Sequence, residues 1–245
     1  MKTKAKWRKQ TAIFHGEKFQ KGEFRVNKFG VKTVELQGIQ FEADKDSIIR
    51  EPNYDYAKRE IEWYESQSLN VYDIPGGTPV IWKQCADVNG DINSNYGWMI
   101  WSKENGSQYQ NCMWHLINEP ATREAVMIYN RPDMHVDATS NHKHDFCCTY
   151  AVQCFLNPVF KEYECEISLP VGMLPEIESY TLDYHVYMRS NDAVFGYDND
   201  VLWHMHVHNK LLNDLLERGM NVTKGKLIWN AGSLHVYERH FKFLQ

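Results

Sequence analysis

Residues 189–200 read Arg-Ser-Asn-Asp-Ala-Val-Phe-Gly-Tyr-Asp-Asn-Asp, and this stretch carries more information about fold and function than any other. Arg189 and Ser190 combine a cationic fork with a hydroxyl, which suits a phosphate group. Gly196 favours a turn, and Asp200 stands just before a long helical pattern. A carboxylate at this distance can contact the other end of the same small molecule. The stretch therefore predicts a site for a phosphorylated base.

The composition fits one soluble domain. With 245 residues and 43% hydrophobic content, the chain can bury a substantial core, and we interpret residues 1–245 as a single domain. The net charge of -5 argues against a nucleic-acid partner, because such proteins need a basic stripe. No apolar run approaches the roughly 20 residues that cross a bilayer. We therefore expect a cytoplasmic protein that binds a small anion, with neither nucleic acid nor membrane as its partner.

Neither the cysteines nor the histidines have the spacing of a metal site. No C-x-x-C pair and no secretory context occurs, so we expect free thiols. The six cysteines are Cys85, Cys112, Cys147, Cys148, Cys154 and Cys165. Of His204, His206 and His208, only the first and last would share a helix face, and no other ligand accompanies them. We predict no metal, and histidines that are exposed or at an interface.

Hydrophobic periodicity predicts both helices and strands. The predicted helices span residues 54–66, 107–118 and 201–216. Residues 24–43 alternate in part and predict strands joined near Gly30 and Gly38. Further strands are predicted at residues 125–129, 148–156, 180–188, 227–229 and 234–237. Residues 157–179 are rich in proline and look like an inserted excursion between two paired strands.

Three motifs together resemble a known nucleotide site. Upstream of residues 189–200 stands Cys148-Thr149 with Gln153, and downstream residues 232–237 read Gly-Ser-Leu-His-Val-Tyr. This combination resembles the thymidylate synthase superfamily, and the likeness extends from about residue 26 to residue 241. It implies an α+β, thymidylate synthase-like fold: a mixed β-sheet covered by helices, with one face of the sheet at a homodimer interface.

Two departures from the thymidylate synthase pattern concern the base. Asp200 stands where a thymidylate synthase has the asparagine that binds uracil, and Thr149 follows the cysteine where histidine is usual. Both departures resemble the deoxycytidylate hydroxymethylase branch known from T-even-like phages. The resemblance implies dCMP as substrate and, for a phage enzyme, action in the host cytoplasm to supply modified DNA.

The resemblance assigns Cys148 as the nucleophile. A thiolate that adds to C6 of a pyrimidine loads electron density onto C5, which is otherwise a poor nucleophile. Arg189 is expected to lower the pKa of Cys148 by favouring the thiolate. The spacing to Gln153 favours Cys148 over Cys147, whose side chain should point to the opposite face of a strand.

The phosphate and the sugar would be held by several residues. Arg189, Ser190 and Asn191 are assigned to substrate binding, with Lys28 as a further cation. His235 and Tyr237 match the pair that binds the sugar 3'-hydroxyl, and Gln153 completes the substrate set.

The resemblance also implies a contribution from the dimer partner. Two consecutive arginines of the superfamily reach the partner's phosphate site, and Arg123 and Glu124 occupy the matching positions. One cation is thus kept and the other is replaced by an acid. Arg131 or Lys28 is left to compensate.

Asp200 decides which base is read. A carboxylate accepts a hydrogen bond from the cytosine amino group, and a proton shared with N3 makes a second bond. Uracil would instead place its C4 carbonyl oxygen opposite the carboxylate. Each acceptor left unpaired there would cost about 1–3 kcal/mol. Without the surrounding motif, Asp200 would be interpreted as a helix N-cap. Asn199 is the alternative base-binding residue if the register slips by one.

Glu60 matches the glutamate that orders water in the superfamily, and Glu62 is the competing assignment. The implied co-substrate is 5,10-methylenetetrahydrofolate, with Trp82 and Asp192 as its contacts. In the hydroxymethylase branch, water adds to an exocyclic methylene and gives 5-hydroxymethyl-dCMP. The alternatives are a dCMP methyltransferase, a thymidylate synthase acting on dUMP, and a non-catalytic nucleotide-binding homologue.

The sequence stops at Gln245, whereas superfamily members usually continue into a tail that closes over the ligands. We expect either that the excursion at 157–179 takes over as a lid or that closure is incomplete. Entry of water into an incompletely closed site would hinder hydride transfer more than hydration.

Overall fold

A mixed sheet of seven strands organises the part of the chain that the computed structural model describes, residues 5–26, 30–139, 143–161 and 175–245. The strands are β1 (Arg25–Val26), β2 (Lys32–Glu42), β3 (Val126–Ile128), β4 (Thr149–Phe160), β5 (Ile177–Met188), β6 (Asn191–Asp192) and β7 (Val222–Tyr237). Their order is β1-β2-β7-β5-β4-β3, with β6 also on β7. Strands β5 and β6 run parallel to β7, and the other pairs are antiparallel.

Helices cover this sheet, as expected for an α+β fold. They are α1 (Ala5–Gln20), α2 (Tyr54–Ser66), α3 (Val80–Cys85), α4 (Tyr96–Trp101), α5 (Gln108–Asn118), α6 (Asp133–Thr139) and α7 (Gly196–Glu217), with 3-10 turns at Val71–Asp73 and Glu238–Phe243. The predicted helices at 54–66 and 107–118 are confirmed. Four helices were missed: α3, α4 and α6 are too short to show a period, and α1 has no apolar stripe.

Helix α7 begins earlier than its apolar pattern. Its N-cap is Phe195, so Asp200 lies inside the helix and the interpretation of Asp200 as an N-cap is wrong. The prediction began too late because Gly196, Asp198 and Asn199 are residue types that are common in turns. One consequence is that the side chain of Asp200 follows the geometry of a rigid helix.

Two predicted strand breaks lie within continuous strands. Strand β2 passes through Gly38, and β7 passes through Gly232, which lies opposite Gly38 between the pairs Gln37–Ser233 and Ile39–Ala231. Gly38 has a φ of 63°, which only glycine adopts without strain. The prediction of a strand junction near Gly30, between β1 and β2, is confirmed.

The strands that flank the predicted excursion are paired, as expected, but its predicted bounds of 157–179 are too wide, because residues 157–160 belong to β4 and residues 177–179 to β5. The β4–β5 pairing continues to Phe160 opposite Ile177, and Lys161 and Glu176 form a 2.7 Å ion pair beyond it. Residues 162–174, and with them the proposed lid and Cys165, lie outside the described residues. The five cysteines that are described are free thiols, as predicted.

Two histidines of α7 are core residues, so the prediction of exposed or interfacial positions is wrong for them. His204 and His208 are fully buried, and burial lowers their pKa to about 3 and about 4. His204 Nε2 lies 3.1 Å from Thr149 Oγ1, and His208 Nε2 lies 2.8 Å from the carbonyl oxygen of Leu182. Each neutral ring thus has a hydrogen bond to the sheet through Nε2, while His208 Nδ1 has no partner among the described residues.

Helices α2 and α4 pack against α7 through aromatic side chains. The ring of Tyr64 stacks on Tyr96 at 5.2 Å and meets Trp203 edge-on at 5.0 Å. This contact requires glycine at position 97, because a Cβ there would overlap the carbonyl oxygen of Tyr64. The packing fixes α2 relative to α7 at the point where Glu60 and Asp200 lie.

Gly97→Ala should lower the free energy of unfolding by about 1–3 kcal/mol or more, because the added methyl group meets backbone that cannot move aside. Urea denaturation measures this change. Gly16→Ala is the matched control, since a Cβ at Gly16 in α1 would lie 3.7 Å from its nearest neighbour. The control should be neutral or stabilising by up to about 1 kcal/mol. Equal stability of both variants would contradict the close packing of α2 on α4.

Candidate active site

Cys148 lies in the bend that enters β4. Its carbonyl oxygen accepts a 2.8 Å hydrogen bond from the backbone N–H of Arg189, so the bend is tied to the end of β5. The Cys148 side chain is half-buried, whereas Cys147 is 1% exposed and its thiol donates to Ser94 Oγ at 3.3 Å. The two thiols have different surroundings, and the thiol of Cys148 is the more accessible one.

The guanidinium of Arg189 holds the bend around Cys148. Its Nε donates to the carbonyl oxygen of Cys147 at 2.9 Å, and Nη2 donates to that of Phe146 at 2.6 Å. The same Nη2 lies 4.0 Å from Cys148 Sγ, and the cation sits 5.0 Å from the Phe146 ring centre. Arg189 is exposed, so its cation is also accessible from solvent.

The pKa of Cys148 departs from the expected direction. Burial raises it to about 11, Asp200 adds to the rise, and the nearby Arg189 only partly opposes both effects. The prediction that Arg189 gives a lowered pKa is therefore wrong in its net result. Loss of solvation, which sequence does not reveal, outweighs the cation. In the free protein the thiol is protonated at neutral pH.

Asp200 of α7 faces the same region. Asn191 Nδ2 donates to Asp200 Oδ2 at 2.7 Å, and Asn191 itself is 2% exposed. Burial raises the pKa of Asp200 well above its usual value, and Glu60 adds to the rise. Since Asp200 in turn raises the pKa of Cys148, the thiol and the two carboxyl groups belong to one electrostatic neighbourhood.

The alternative base-binding residue, Asn199, lies next to Asp200 on the same helix. Its side chain is half-buried, and its Oδ1 has no hydrogen-bond partner among the described residues. The charge of Asp200 raises the pKa of Cys148, so Asp200 lies within electrostatic reach of the thiol and is better placed than Asn199 to bind a base beside it.

Glu60 is buried in α2 and is 6% exposed. Its Oε1 accepts hydrogen bonds from the hydroxyl of Tyr56 at 2.6 Å and from Trp82 Nε1 at 2.8 Å. Burial raises the pKa of Glu60, although both donors oppose the rise. The competing residue Glu62 is exposed and lies 3.9 Å from Lys58, so only Glu60 reaches the interior.

The predicted sugar pair lies on β7, beside the strand formed by residues 191 and 192. Asp192 is in register with His235, whose Nδ1 lies 3.3 Å from Ser233 Oγ. The rings of His235 and Tyr237 meet edge-on at 4.7 Å. Burial lowers the pKa of His235, so its ring is neutral at pH 7. Ser190, half-buried, precedes this short strand.

Three further predicted residues, Arg123, Arg131 and Gln153, lie on or beside strands β3 and β4. Gln153 Nε2 donates to the carbonyl oxygen of Arg123 at 2.9 Å, and the side chains of Arg123 and Glu124 are exposed. Arg131 Nε forms a 3.3 Å ion pair with Asp133. These contacts hold Arg123 at the surface of the chain. Lys28 lies outside the described residues.

The comparison with known proteins decides the family, since the family model for thymidylate synthase matches residues 16–245. This chain belongs to the thymidylate synthase family. Enzymes of the thymidylate synthase family act on a nucleotide with methylenetetrahydrofolate as co-substrate. Membership accounts for the joint occurrence of the three motifs.

Relatives within the thymidylate synthase family differ in activity. The deoxycytidylate 5-hydroxymethyltransferases of Enterobacteria phages T4 and T2 are each 43% identical over 221 residues, covering 89% of this chain and 81% of theirs. The solved thymidylate synthase of T4 phage has a TM-score of 0.66 at 17% identity over 96% of this chain and 78% of its own. Thymidylate synthase A of Bacillus subtilis has a TM-score of 0.61 at 19% identity, covering 95% and 82%. These structures confirm the predicted α+β fold.

Two contacts of the site were missed by sequence reasoning. The hydroxyl of Tyr56 on Glu60 was detectable, because residues four apart in a helix are neighbours. The hydroxyl of Tyr96, which accepts a 3.2 Å hydrogen bond from the backbone N–H of Thr149, gave no such signal. This hydrogen bond joins α4 to the residue after Cys148. It forms only because two segments that are distant in sequence pack together.

The described ranges contain neither a candidate metal-binding group nor a candidate membrane-spanning helix. In these ranges, no three His, Cys, Asp or Glu side chains are grouped so that they could bind a metal ion. Nor does any helix there combine the length and apolar character that a membrane crossing requires.

Alkylation of Cys148 by iodoacetamide should be slow in the free protein at neutral pH, because only the thiolate reacts. With a pKa of about 11, the rate should keep rising about tenfold per pH unit through the range where an ordinary cysteine, pKa about 8.5, is already ionised. Peptide mass spectrometry follows the modification. Arg189→Gln should shift the curve to still higher pH, because a nearby cation is lost. A plateau near pH 8.5 would contradict the raised pKa.

Proposed function

We propose that this chain is a folate-dependent hydroxymethyltransferase that converts dCMP to 5-hydroxymethyl-dCMP. The observation that carries the proposal is the carboxyl group of Asp200, which lies within electrostatic reach of the Cys148 thiol. Thymidylate synthases have asparagine at the position of Asp200. The 43% identity to deoxycytidylate 5-hydroxymethyltransferases of phages T4, T2 and T6 supports the same activity.

Asp200 would select cytosine through its protonation state. Its raised pKa favours the protonated acid, whose O–H donates to N3 while the other oxygen accepts from the C4 amino group. Asn191 occupies Oδ2, which fixes the orientation of the carboxyl group. A uracil base would present N3–H and a C4 carbonyl, and both would lack partners in this arrangement. Unpaired buried groups cost about 1–3 kcal/mol each.

Cys148 would supply the nucleophile. Its sulfur forms a bond to C6 as the thiol loses its proton, and the hydrogen bond from Asp200 to N3 draws electrons into the ring. C5 then bonds to the one-carbon unit and loses its own proton, and the bond from that carbon to the folate nitrogen breaks, so that tetrahydrofolate leaves and an exocyclic methylene remains on C5. After water has added to the exocyclic methylene, the bond between sulfur and C6 breaks and the ring recovers its aromaticity.

Glu60 would orient that water. Its Oε1 is held by Tyr56 and Trp82, so the carboxylate has a fixed direction. A fixed acceptor can position a water and take its proton. General base catalysis of this kind typically raises the rate of a step by about 100- to 10,000-fold.

The surroundings of Asp192 fit a reduced folate. When bound, 5,10-methylenetetrahydrofolate supplies the one-carbon unit. Phe195 is 41% exposed and lies 3.9 Å from the Arg50 guanidinium and 4.7 Å from the ring of His240, which in turn is 3.9 Å from Asp192. An acid, an aromatic surface and a cation match the amino heterocycle, the aromatic ring and the carboxylates of a folate. Trp82 would contact the same molecule beside Glu60.

Arg189 and Ser190 would bind the phosphate, with Lys28 as a further cation and Gln153, His235 and Tyr237 completing the nucleotide site. The proposal includes one domain over residues 1–245 and a homodimer formed through a sheet face. In that dimer, the exposed Arg123 would reach the phosphate site of the partner subunit. As a phage enzyme it would act in the host cytoplasm and supply modified DNA.

Incubation of the protein with dCMP and 5,10-methylenetetrahydrofolate should give a nucleotide heavier by CH2O, because water completes the reaction. Mass spectrometry of the nucleotide checks this outcome. A product heavier by CH2, with dihydrofolate formed, would indicate a methyltransferase instead. Binding of dCMP without turnover would indicate a non-catalytic homologue. Cys148→Ser is the control, and it should bind dCMP without forming product.

Asp200→Asn should shift the preference toward dUMP, because an amide donates to the C4 carbonyl of uracil and cannot give N3 of cytosine a proton. We expect the ratio of kcat/KM for dCMP to that for dUMP to fall at least tenfold, as an unpaired buried group costs about 1–3 kcal/mol. Asn199→Asp, one residue away, is the matched control and should keep the preference for dCMP. An unchanged ratio in Asp200→Asn would remove this residue as the reader of the base.

A further inference from the structure

Tyr56 forms a closed set of hydrogen bonds with Glu60 and Trp82. The hydroxyl of Tyr56 donates to Glu60 Oε1 at 2.6 Å, and Trp82 Nε1 lies 2.8 Å from the same oxygen and 3.1 Å from the Tyr56 hydroxyl. Within the described part of the chain, no hydrogen bond reaches the other oxygen, Oε2. One oxygen of Glu60 is therefore held by two donors while the second is available.

We propose that Tyr56 is a positioning residue for the hydration step: with the Trp82 indole it holds Oε1 of Glu60 and leaves Oε2, as a carboxylate, to orient the attacking water. This inference rests on the function proposed above and names a residue beyond it. Tyr56 lies one helical turn before Glu60 on α2, so the geometry is set by the helix itself.

The carboxylate form of Glu60 needs this support. Burial raises the pKa of Glu60, whereas hydrogen bonds from Tyr56 and Trp82 favour its charged form. The titratable groups that face Glu60 are Tyr56 and Tyr64 on its own helix and Asp200 on α7, while α3 contributes the indole of Trp82. None of these groups is a cation, so donors take the place of a counter-ion.

Glu60 would accept a proton from the attacking water during hydration. The water oxygen bonds to the exocyclic methylene carbon, and the water proton passes to Oε2 of Glu60. The methylene π electrons move through C5 toward C4 and then return to form the C5–C6 double bond. The bond between C6 and Cys148 Sγ breaks, and the thiolate leaves. Tyr56 does not touch the reacting atoms, and it acts through Glu60.

Tyr56→Phe tests this role by removing one donor and keeping the ring. Loss of a hydrogen bond to a charged group should lower kcat for 5-hydroxymethyl-dCMP by about 10- to 100-fold and leave KM for dCMP near its original value. The acid limb of the kcat profile should move to higher pH, because the carboxylate loses a stabilising donor. Tritium release from C5 of dCMP precedes hydration and should fall much less than product formation.

Tyr54→Phe is the matched control on the same helix. Its hydroxyl also donates to a carboxylate, Asp46 Oδ2 at 2.7 Å, but Tyr54 is exposed and, within the described ranges, its hydroxyl makes no hydrogen bond with Glu60 or Trp82. This variant should keep the original kcat and pH profile. Trp82→Phe removes the other donor and should move the acid limb in the same direction as Tyr56→Phe, which preserves the test if Tyr56→Phe does not fold.

The outcomes distinguish the role of Tyr56 from the proposed hydroxymethyltransferase activity. If the unmodified protein makes 5-hydroxymethyl-dCMP and Tyr56→Phe retains its kcat and acid limb, only the role of Tyr56 is overturned. An equal loss of tritium release and product would also overturn it, because the defect would then precede hydration. An unmodified protein whose product is heavier by CH2 alone would overturn both proposals.

Discussion

The hydrogen bond between His204 and Thr149 joins helix α7 to the segment that carries the candidate nucleophile. His204 lies one helical turn beyond Asp200, and Thr149 directly follows Cys148. The 3.1 Å contact between Nε2 and Oγ1 therefore ties the carboxyl group to the thiol across the core. Because burial lowers the pKa of His204 to about 3, the ring stays neutral at ordinary pH and the contact persists.

Burial also decides the protonation state of the site. The pKa values of Cys148, Asp200 and Glu60 are all raised by loss of solvation, and each carboxyl group adds to the effect on a neighbour. Burial therefore disfavours the charged form of each group, while the donors on Glu60 and the guanidinium near Cys148 oppose this effect. In the proposed reaction, protons are redistributed when a base arrives: Asp200 donates to N3, the thiol is deprotonated, and Glu60 accepts from water.

The sequence predicted the parts of the fold that repeat regularly. Helix α2 was predicted with its observed ends, and the joining of Cys148 to Arg189 across a strand pair followed from the motifs. Sequence-based prediction failed where tertiary packing sets the ends of an element. Helix α7 begins earlier than predicted, and strand β2 continues through Gly38 instead of ending there.

The candidate site followed a similar division. Motif positions placed Asp200, Cys148 and Glu60 near one another, and the structure brings these groups into one neighbourhood. The direction of the pKa of Cys148 was wrong, because a cation is visible in a sequence and desolvation is not. The buried positions of His204 and His208 were missed for the same reason, since their partners lie on distant strands.

The raised pKa values of Asp200 and Glu60 also bear on how a ligand is captured. The whole chain carries a formal charge of -5, so its long-range field does not draw anions toward it. A nucleotide monophosphate must approach against that field and enter beside two carboxyl groups. Because burial disfavours the negative charge of both groups, it reduces the repulsion that they add, and the exposed guanidinium of Arg189 supplies attraction over the last few ångströms of the approach.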